Sequence, residues 1–129
     1  FAEALPSQLS QGMRQRVALA RTFALETPYL IMDEPFGALD AQTKVILGDV
    51  LLRVWEKYAD RTVMFVTHDL AEAIALSDRV IVLSRRPGRI IGDIRIELGR
   101  PRQAESLRQS PAFHAIHSEL WDLLRREIA

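Results

Sequence analysis

The sequence has no cysteine, which removes disulfide frameworks, thiolate zinc sites and a cysteine nucleophile, and suits a reducing compartment. It has no excess of either charge, with 17 Lys plus Arg against 17 Asp plus Glu, so no net field draws it to nucleic acid. Long apolar runs are missing too. Thr62 to Val66 and Val80 to Leu83 fall far short of the roughly 18 to 20 residues that a membrane helix needs. No basic start followed by an apolar stretch and a small-residue cleavage site is present, so no secretory signal is read. Glycine and proline are sparse at 6 each, and 48% of residues are hydrophobic. That composition excludes collagen, low complexity and disorder, and fits one globular domain or part of a larger one. The first residue is Phe, and Phe1 to Leu9 carries no strand or helix pattern of its own. The chain is therefore expected to be a piece of a longer protein.

Three short apolar runs read as buried strands: Tyr29 to Met32, Thr62 to Val66 and Arg79 to Leu83. Continuous apolarity is what a parallel strand covered on both faces requires. Between the first two, Ile46, Leu47, Val50, Leu51, Val54, Trp55 and Tyr58 recur at the spacing of one helix face. Strands alternating with helices predict an α/β fold with a parallel sheet. Ile90 to Leu98 reads with period two and follows Arg86-Pro87-Gly88-Arg89, a Pro-Gly pair suited to a type II turn, which predicts a hairpin. Gly99 to Gln109 reads as a linker. Ser110 as N-cap and Pro111 at the first helical position then open an amphipathic helix carrying Phe113, Ile116, Leu120, Leu123 and Leu124.

The polar residues that end the strands carry the chemistry. The first run ends in Asp33-Glu34 and the second in Thr67-His68-Asp69. In open parallel sheets the ligand crevice lies beyond the carboxyl ends of the strands, so these groups are expected to face one site. Adjacent carboxylates at a strand end suit nucleotide hydrolysis, one for Mg²⁺ and one to deprotonate water, although Asp33-Glu34-Pro35 could equally be a plain turn. His68 can hydrogen-bond a phosphate oxygen. Ser10, Gln11, Gly12 and Met13 precede a helical stretch that ends near Leu25. A serine hydroxyl, free backbone N–H groups and the positive helix end make either a phosphate receptor or simply a capped helix.

Together, Leu9-Ser10-Gln11-Gly12-Met13-Arg14-Gln15-Arg16, Leu30 to Pro35, Gly37-Ala38-Leu39-Asp40 and Val66-Thr67-His68-Asp69 closely resemble the ATPase subunits of ABC transporters. The resemblance covers roughly residues 5 to 100. Pro35 to Asp40 and Arg86 to Ile90 are similar to the nitrate, sulfonate and taurine importer branch. It implies a partial P-loop NTPase domain: residues 1–100 as the C-terminal part of the ATPase domain, and 101–129 as a linker and terminal helix. It implies Ser10 to Met13 as the signature loop, Asp33 as the Walker B metal residue and Glu34 as catalytic base. Asp40 becomes the D-loop aspartate and His68 the switch histidine. It also implies ATP and Mg²⁺ as substrate and cofactor, and a head-to-tail dimer in which each signature loop closes over ATP held by the other subunit. The further partners are a transmembrane permease and, indirectly, an extracytoplasmic solute-binding protein, with the subunit peripheral on the cytoplasmic face of the bacterial inner membrane.

The sequence departs from that pattern in two ways. Gln11 stands where the family has the first of two glycines, which would strain the loop if the position needs positive φ. None of the glycines, at 12, 37, 48, 88, 92 and 99, begins a phosphate-cradling G-x-x-x-x-G-K-[ST] loop. The chain alone is therefore expected to bind ATP weakly or not at all, and to expose apolar surface that the other half of the sheet would cover. Two other readings remain: a non-enzymatic remnant, and an ABC-type ATPase acting on nucleic acid through Arg85, Arg86, Arg89, Arg95, Arg100 and Arg102. With acids interspersed, that arginine stretch reads as solvated surface. His114 and His117, three apart on the last helix, lack a third metal ligand nearby.

Overall fold

A computed structural model describes residues 1–58 and 60–128 of the chain. A single 3-10 turn, Pro6–Gln8, leads into α1 (Gln11–Ala24), followed by β1 (Tyr29–Asp33), α2 (Ala41–Lys57) and β2 (Thr62–Val66). Then come α3 (Leu70–Leu76), β3 (Arg79–Leu83), β4 (Ile90–Arg95), the short α4 (Ala104–Leu107) and α5 (Pro111–Ile128). The starts of four helices are set by side-chain caps. Ser10 Oγ accepts from Met13 N, Asp40 from Thr43 N, Asp69 from Ala71 N and Glu72 N, and Ser110 Oγ from Phe113 N. Each satisfies a backbone donor that the first helical turn leaves without a partner.

β1 and β2 pair in parallel, with Tyr29 opposite Thr62 and Asp33 opposite Val66. The expected α/β fold with a small parallel sheet is present. On one face, Met32, Phe36 and Leu51 are buried together with Leu19, Phe23, Leu47, Val63 and Phe65, so α1 and α2 cover that side. On the other face Tyr29, Ile31, Met64 and Val66 are exposed at 71%, 69%, 57% and 54%. The strands were expected to be covered on both faces, and they are covered on one. Alternate side chains of a strand point to opposite faces, and no described element packs on the second.

β3 differs from the expected parallel strand. Among the described residues it pairs only with β4, antiparallel, with Val80 opposite Ile94 and Val82 opposite Gly92. The sheets are thus two separate pairs, β1-β2 and β3-β4. A cleft of about 380 Å³ lies between them, lined by Thr62, Val63 and Phe65 of β2, Arg79 of β3, and Trp55 and Arg100. The hairpin is present, with β4 ending at Arg95 rather than Leu98. Its turn is not type II, because no described glycine has positive φ and Gly88 therefore cannot fill the second central position. Ser84 closes it instead: Ser84 N donates to Arg89 O at 2.8 Å and Arg89 N to Ser84 Oγ at 3.0 Å.

A second core joins Ile74, Val82, Ile96, Phe113 and Leu120, with Ile74 and Leu120 fully buried. The terminal helix thus packs on α3, β3 and β4 of its own chain. Its approach depends on Gly92, where a Cβ would stand 2.6 Å from Leu123 Cδ1 and 3.3 Å from Val82 Cγ2. The stretch 99–109 is packed rather than a free linker. It holds α4, Ala104 N donates to Asp49 Oδ1 at 2.9 Å, and Arg102 is buried at 6%. The Arg102 guanidinium donates to Ser77 O, Ile96 O and Leu98 O, and burial lowers its pKa from the usual arginine value. Arg102 is therefore no part of a solvated surface. A buried guanidinium needs several acceptors, and three carbonyls supply them.

Candidate functional site

The turn after β1 begins at Glu34, the only described non-glycine residue with positive φ, at 47°. Pro35 disfavours the right-handed helical region for the residue before it, and the surroundings hold the unusual backbone in place. Glu34 N donates to Val66 O at 2.8 Å, and Gly37 N donates to Glu34 O at 3.1 Å. Phe36, 1% exposed, anchors the turn in the core. Gln15 of α1 ties it from the side. Its Nε2 donates to Glu34 O at 3.0 Å and also to Pro35 O, and its Oε1 accepts from Ala38 N at 3.2 Å. Sequence reasoning missed both Gln15 and the left-handed Glu34. The Glu34-Pro35 pair, which forces a turn at a strand end, was the available signal.

The two strand ends do converge. His68 Nδ1 and Glu34 Oε1 lie 2.8 Å apart. This hydrogen bond, and then the Glu34 charge, raise the His68 pKa above its ordinary value, against smaller lowering effects from burial and Lys44. The pair is exposed, so the contact orients the groups and adds little stability. His68 sits between Thr67 and Asp69, which cap and brace the start of α3: Thr67 Oγ1 donates to Glu72 Oε2 at 2.8 Å and accepts from Asp69 N at 3.0 Å. Asp33, the last residue of β1, is exposed beside this pair in sequence.

The remaining predicted residues do not join the Glu34–His68 contact. Ser10 and Asp40 both turn their side chains to helix capping, and Asp40 also accepts from Thr43 Oγ1 at 2.6 Å. Gln11 is the first helical residue of α1 and has no positive φ, so the strain expected from a non-glycine there is absent. Gly12 lies close to the turn before Asp40, since a Cβ on it would stand 3.2 Å from Leu39 Cδ2. Met13 is partly buried in the first turn of α1. Thus α1, the β1 turn and the start of α2 form one unit, knitted by Gln15 and by the Gly12–Leu39 approach. His114 and His117 lie against the Phe113 ring.

Among the described residues no group of three or more His, Asp or Glu could hold a metal ion. Mg²⁺ characteristically takes one or two carboxylates and completes its shell with water and substrate phosphate oxygens. A single exposed Asp33 carboxylate fits a metal shared with a nucleotide, and does not fit an ion caged by this chain alone.

A family model described as ABC transporter matches residues 1–37. An ATP-binding protein of Brucella melitensis is 52% identical over 121 residues, covering 94% of this chain and 50% of that protein. The chain is homologous to ABC transporter ATP-binding proteins. The nitrate import ATP-binding protein NrtD of Synechococcus elongatus is 45% identical over 96% of this chain and 45% of its own length. The taurine import ATP-binding protein TauB of Rhizobium johnstonii is 41% identical over 96% of this chain and 48% of its own length. The chain thus spans about half the length of the curated relatives it matches. In fold, it is similar to a structure from work on ATP-driven dimerization and DNA-stimulated activation of SMC ATPases, with a TM-score of 0.52 at 20% identity. That likeness covers 80% of this chain and 62% of the other. The α/β fold therefore matches part of an ATPase domain of this type. Among the described residues no helix is long and apolar enough to cross a membrane.

Proposed function

We propose that the chain is part of the ATP-hydrolysing subunit of an ABC importer for a small solute of the nitrate, sulfonate or taurine kind. Residues 1–100 carry the ATPase motifs, and 101–129 complete the fold behind them. The observation that carries this reading is the Glu34 carboxylate held 2.8 Å from His68 where two parallel strands end, in a chain similar to importer ATPases throughout its length.

In this reading Glu34 takes a proton from the attacking water, and its fixed backbone aims the carboxylate beyond the sheet. His68 donates a hydrogen bond to the terminal phosphate. Its exposure and its exchange of the Glu34 contact for a phosphate contact suit that part. Asp33 holds Mg²⁺, which when bound neutralises charge on the phosphate oxygens. Ser10 to Met13 present the N-terminus of α1, and Ser10 and Asp40 hold their helices open toward a second subunit packed head to tail. A loop lacking its own phosphate cradle needs that second surface.

The rest of the subunit supplies the phosphate loop and covers the open sheet. Among the described residues β2 has a free edge away from β1 and β3 one away from β4, with the cleft between them. A strand from the other half would pair there, and its neighbours would cover Tyr29, Ile31, Met64 and Val66. The permease, the extracytoplasmic binding protein and the cytoplasmic face of the bacterial inner membrane follow as the setting. The nucleic-acid reading keeps only part of its arginine stretch, because Arg102 is buried and Arg100 pairs with Asp78, while Arg85, Arg86, Arg89 and Arg95 are exposed.

The test uses the complete subunit with its permease in proteoliposomes. Glu34→Gln should abolish ATP turnover and leave ATP-bound dimer closure intact. Turnover at the wild-type rate, or loss of ATP binding, would reject Glu34 as the base.

A further inference from the structure

The His68 ring is 80% exposed, so packing does not hold it, and its direction must come from the backbone on either side. Thr67 and Asp69 are bound into the start of α3. Thr67 Oγ1 donates to Glu72 Oε2 at 2.8 Å and accepts from Asp69 N at 3.0 Å, while Asp69 Oδ1 accepts from Ala71 N and Glu72 N. These bonds are all internal to the loop and α3, so they would move with that unit. Lys44 crosses to it from α2. Its ammonium lies 3.2 Å from Glu72 Oε1 and 3.8 Å from Asp69 Oδ2.

Glu72 is 6% exposed, and its Oε1 has no hydrogen-bond donor among the described residues. A buried carboxylate without compensation is costly, and here the compensation is the Lys44 charge. Lys44 also stands one helical turn after Asp40, the cap of α2. The same side chain therefore joins the helix that starts at Asp40 to the loop that carries His68.

We propose that Lys44 is a positioning residue for His68: its bridge to Glu72 and Asp69 locks the Thr67–Asp69 loop to α2 and so keeps the imidazole at Glu34. The parts played by His68 and Glu34 rest on the function proposed above, whereas the bridge itself does not. Within the complete subunit, Lys44 acts on the turnover step without touching the nucleotide. A change in the Asp40 turn reaches His68 through it.

Lys44→Met alone strands a buried carboxylate and risks unfolding. The double variant Lys44→Met, Glu72→Gln leaves no lone charge and keeps an acceptor for Thr67. In the complete subunit with its permease, that variant should lower kcat about tenfold, as a small misplacement of a reacting group does. KM for ATP should stay within about twofold of wild type, and Lys44→Arg should restore kcat. A second readout needs no nucleotide: NMR titration of His68 in the same subunit. Loosening the loop should bring the midpoint down toward the ordinary 6.5. Loss of the Lys44 charge alone would raise it, since that ammonium disfavours a protonated imidazole. Unchanged kcat with a risen or unmoved His68 midpoint overturns the proposal. If wild type itself hydrolyses no ATP, the function reading fails, and the His68 titration still decides the bridge.

Discussion

The backbone at Glu34 offers a separation of stability from chemistry. A non-glycine residue in the left-handed region carries roughly 1–2 kcal/mol of steric cost, and Glu34 sits there at φ 47°. The cost is sustained because both of its peptide groups are committed, to Val66, Gly37 and Gln15, and because Phe36 is fixed in the core. Glycine relieves the clash but loses about 0.5–1 kcal/mol through the greater freedom of the unfolded chain. Comparing Glu34→Gly with Glu34→Ala cancels the lost carboxylate and the lost His68 contact, leaving the backbone alone. The glycine variant should be the more stable by about 0.5–1 kcal/mol, or roughly 2–4 °C in thermal midpoint for a chain of this size. Thermal unfolding followed by circular dichroism reads this directly. Neither variant should support turnover in the complete subunit. If the glycine variant melts at or below the alanine variant, the turn is not strained and the argument for a sterically held carboxylate fails.

Other consequences can be checked as readily. Because its bond to Glu34 raises the His68 pKa, the contact is fully present below the ordinary histidine value and is lost as pH climbs through the raised one. Glu34→Gln should shift an NMR titration of His68 downward, and a titration that does not move would show the contact to be absent in solution. Gly92→Ala should cost about 1–3 kcal/mol by driving Leu123 off the hairpin, measured by denaturant unfolding, with an unchanged midpoint counting against the docking of α5. Gln15→Ala should cost about 1–3 kcal/mol, because it leaves the part-buried Pro35 carbonyl without its donor, and should lower turnover of the complete subunit more than it lowers ATP affinity. The chain by itself should bind ATP weakly or not at all by calorimetry, since it brings no phosphate loop, and tight binding would refute this.

Local chemistry was legible wherever one residue type has one strong local use. Ser10 and Ser110 were readable as caps because a hydroxyl before a helical period has an immediate backbone partner. Asp33-Glu34 and His68 were readable as strand-end groups because the apolar runs before them fixed the strand positions. What the sequence concealed was long-range. Whether Arg79 to Leu83 joins β2 or only β4 depends on which elements are present to pair with it, and no local pattern carries that. Arg102 looked like one more surface arginine because burial of a guanidinium depends on carbonyls of two separate segments, Ser77 and Ile96 to Leu98, converging on it. Gln15 and Lys44 were unremarkable by residue type, since a polar residue on a helix is ordinarily solvated. Their parts come from contacts 19 or more positions away.

The division of the molecule into two cores bears on how the site is held. Ile74, Leu120 and their neighbours enclose the β3-β4 hairpin between α3 and α5, whereas β1 and β2 rest on helices from one side only. The strand ends that carry Asp33, Glu34 and His68 therefore belong to the less enclosed pair. With half of their sheet uncovered, these ends cannot owe their geometry to depth of burial. They owe it to side chains that cross between elements: Gln15 to the β1 turn, Lys44 to the loop after β2, and the Glu34 N to Val66 O bond between the strands. The two side-chain crossings come from elements that carry other predicted site residues, α1 with Ser10 and α2 with Asp40. Under the function proposed above, displacement of either helix by a second subunit would thus be felt at Glu34 and His68 without a change in the sheet, which is the coupling a dimer-closing ATPase requires.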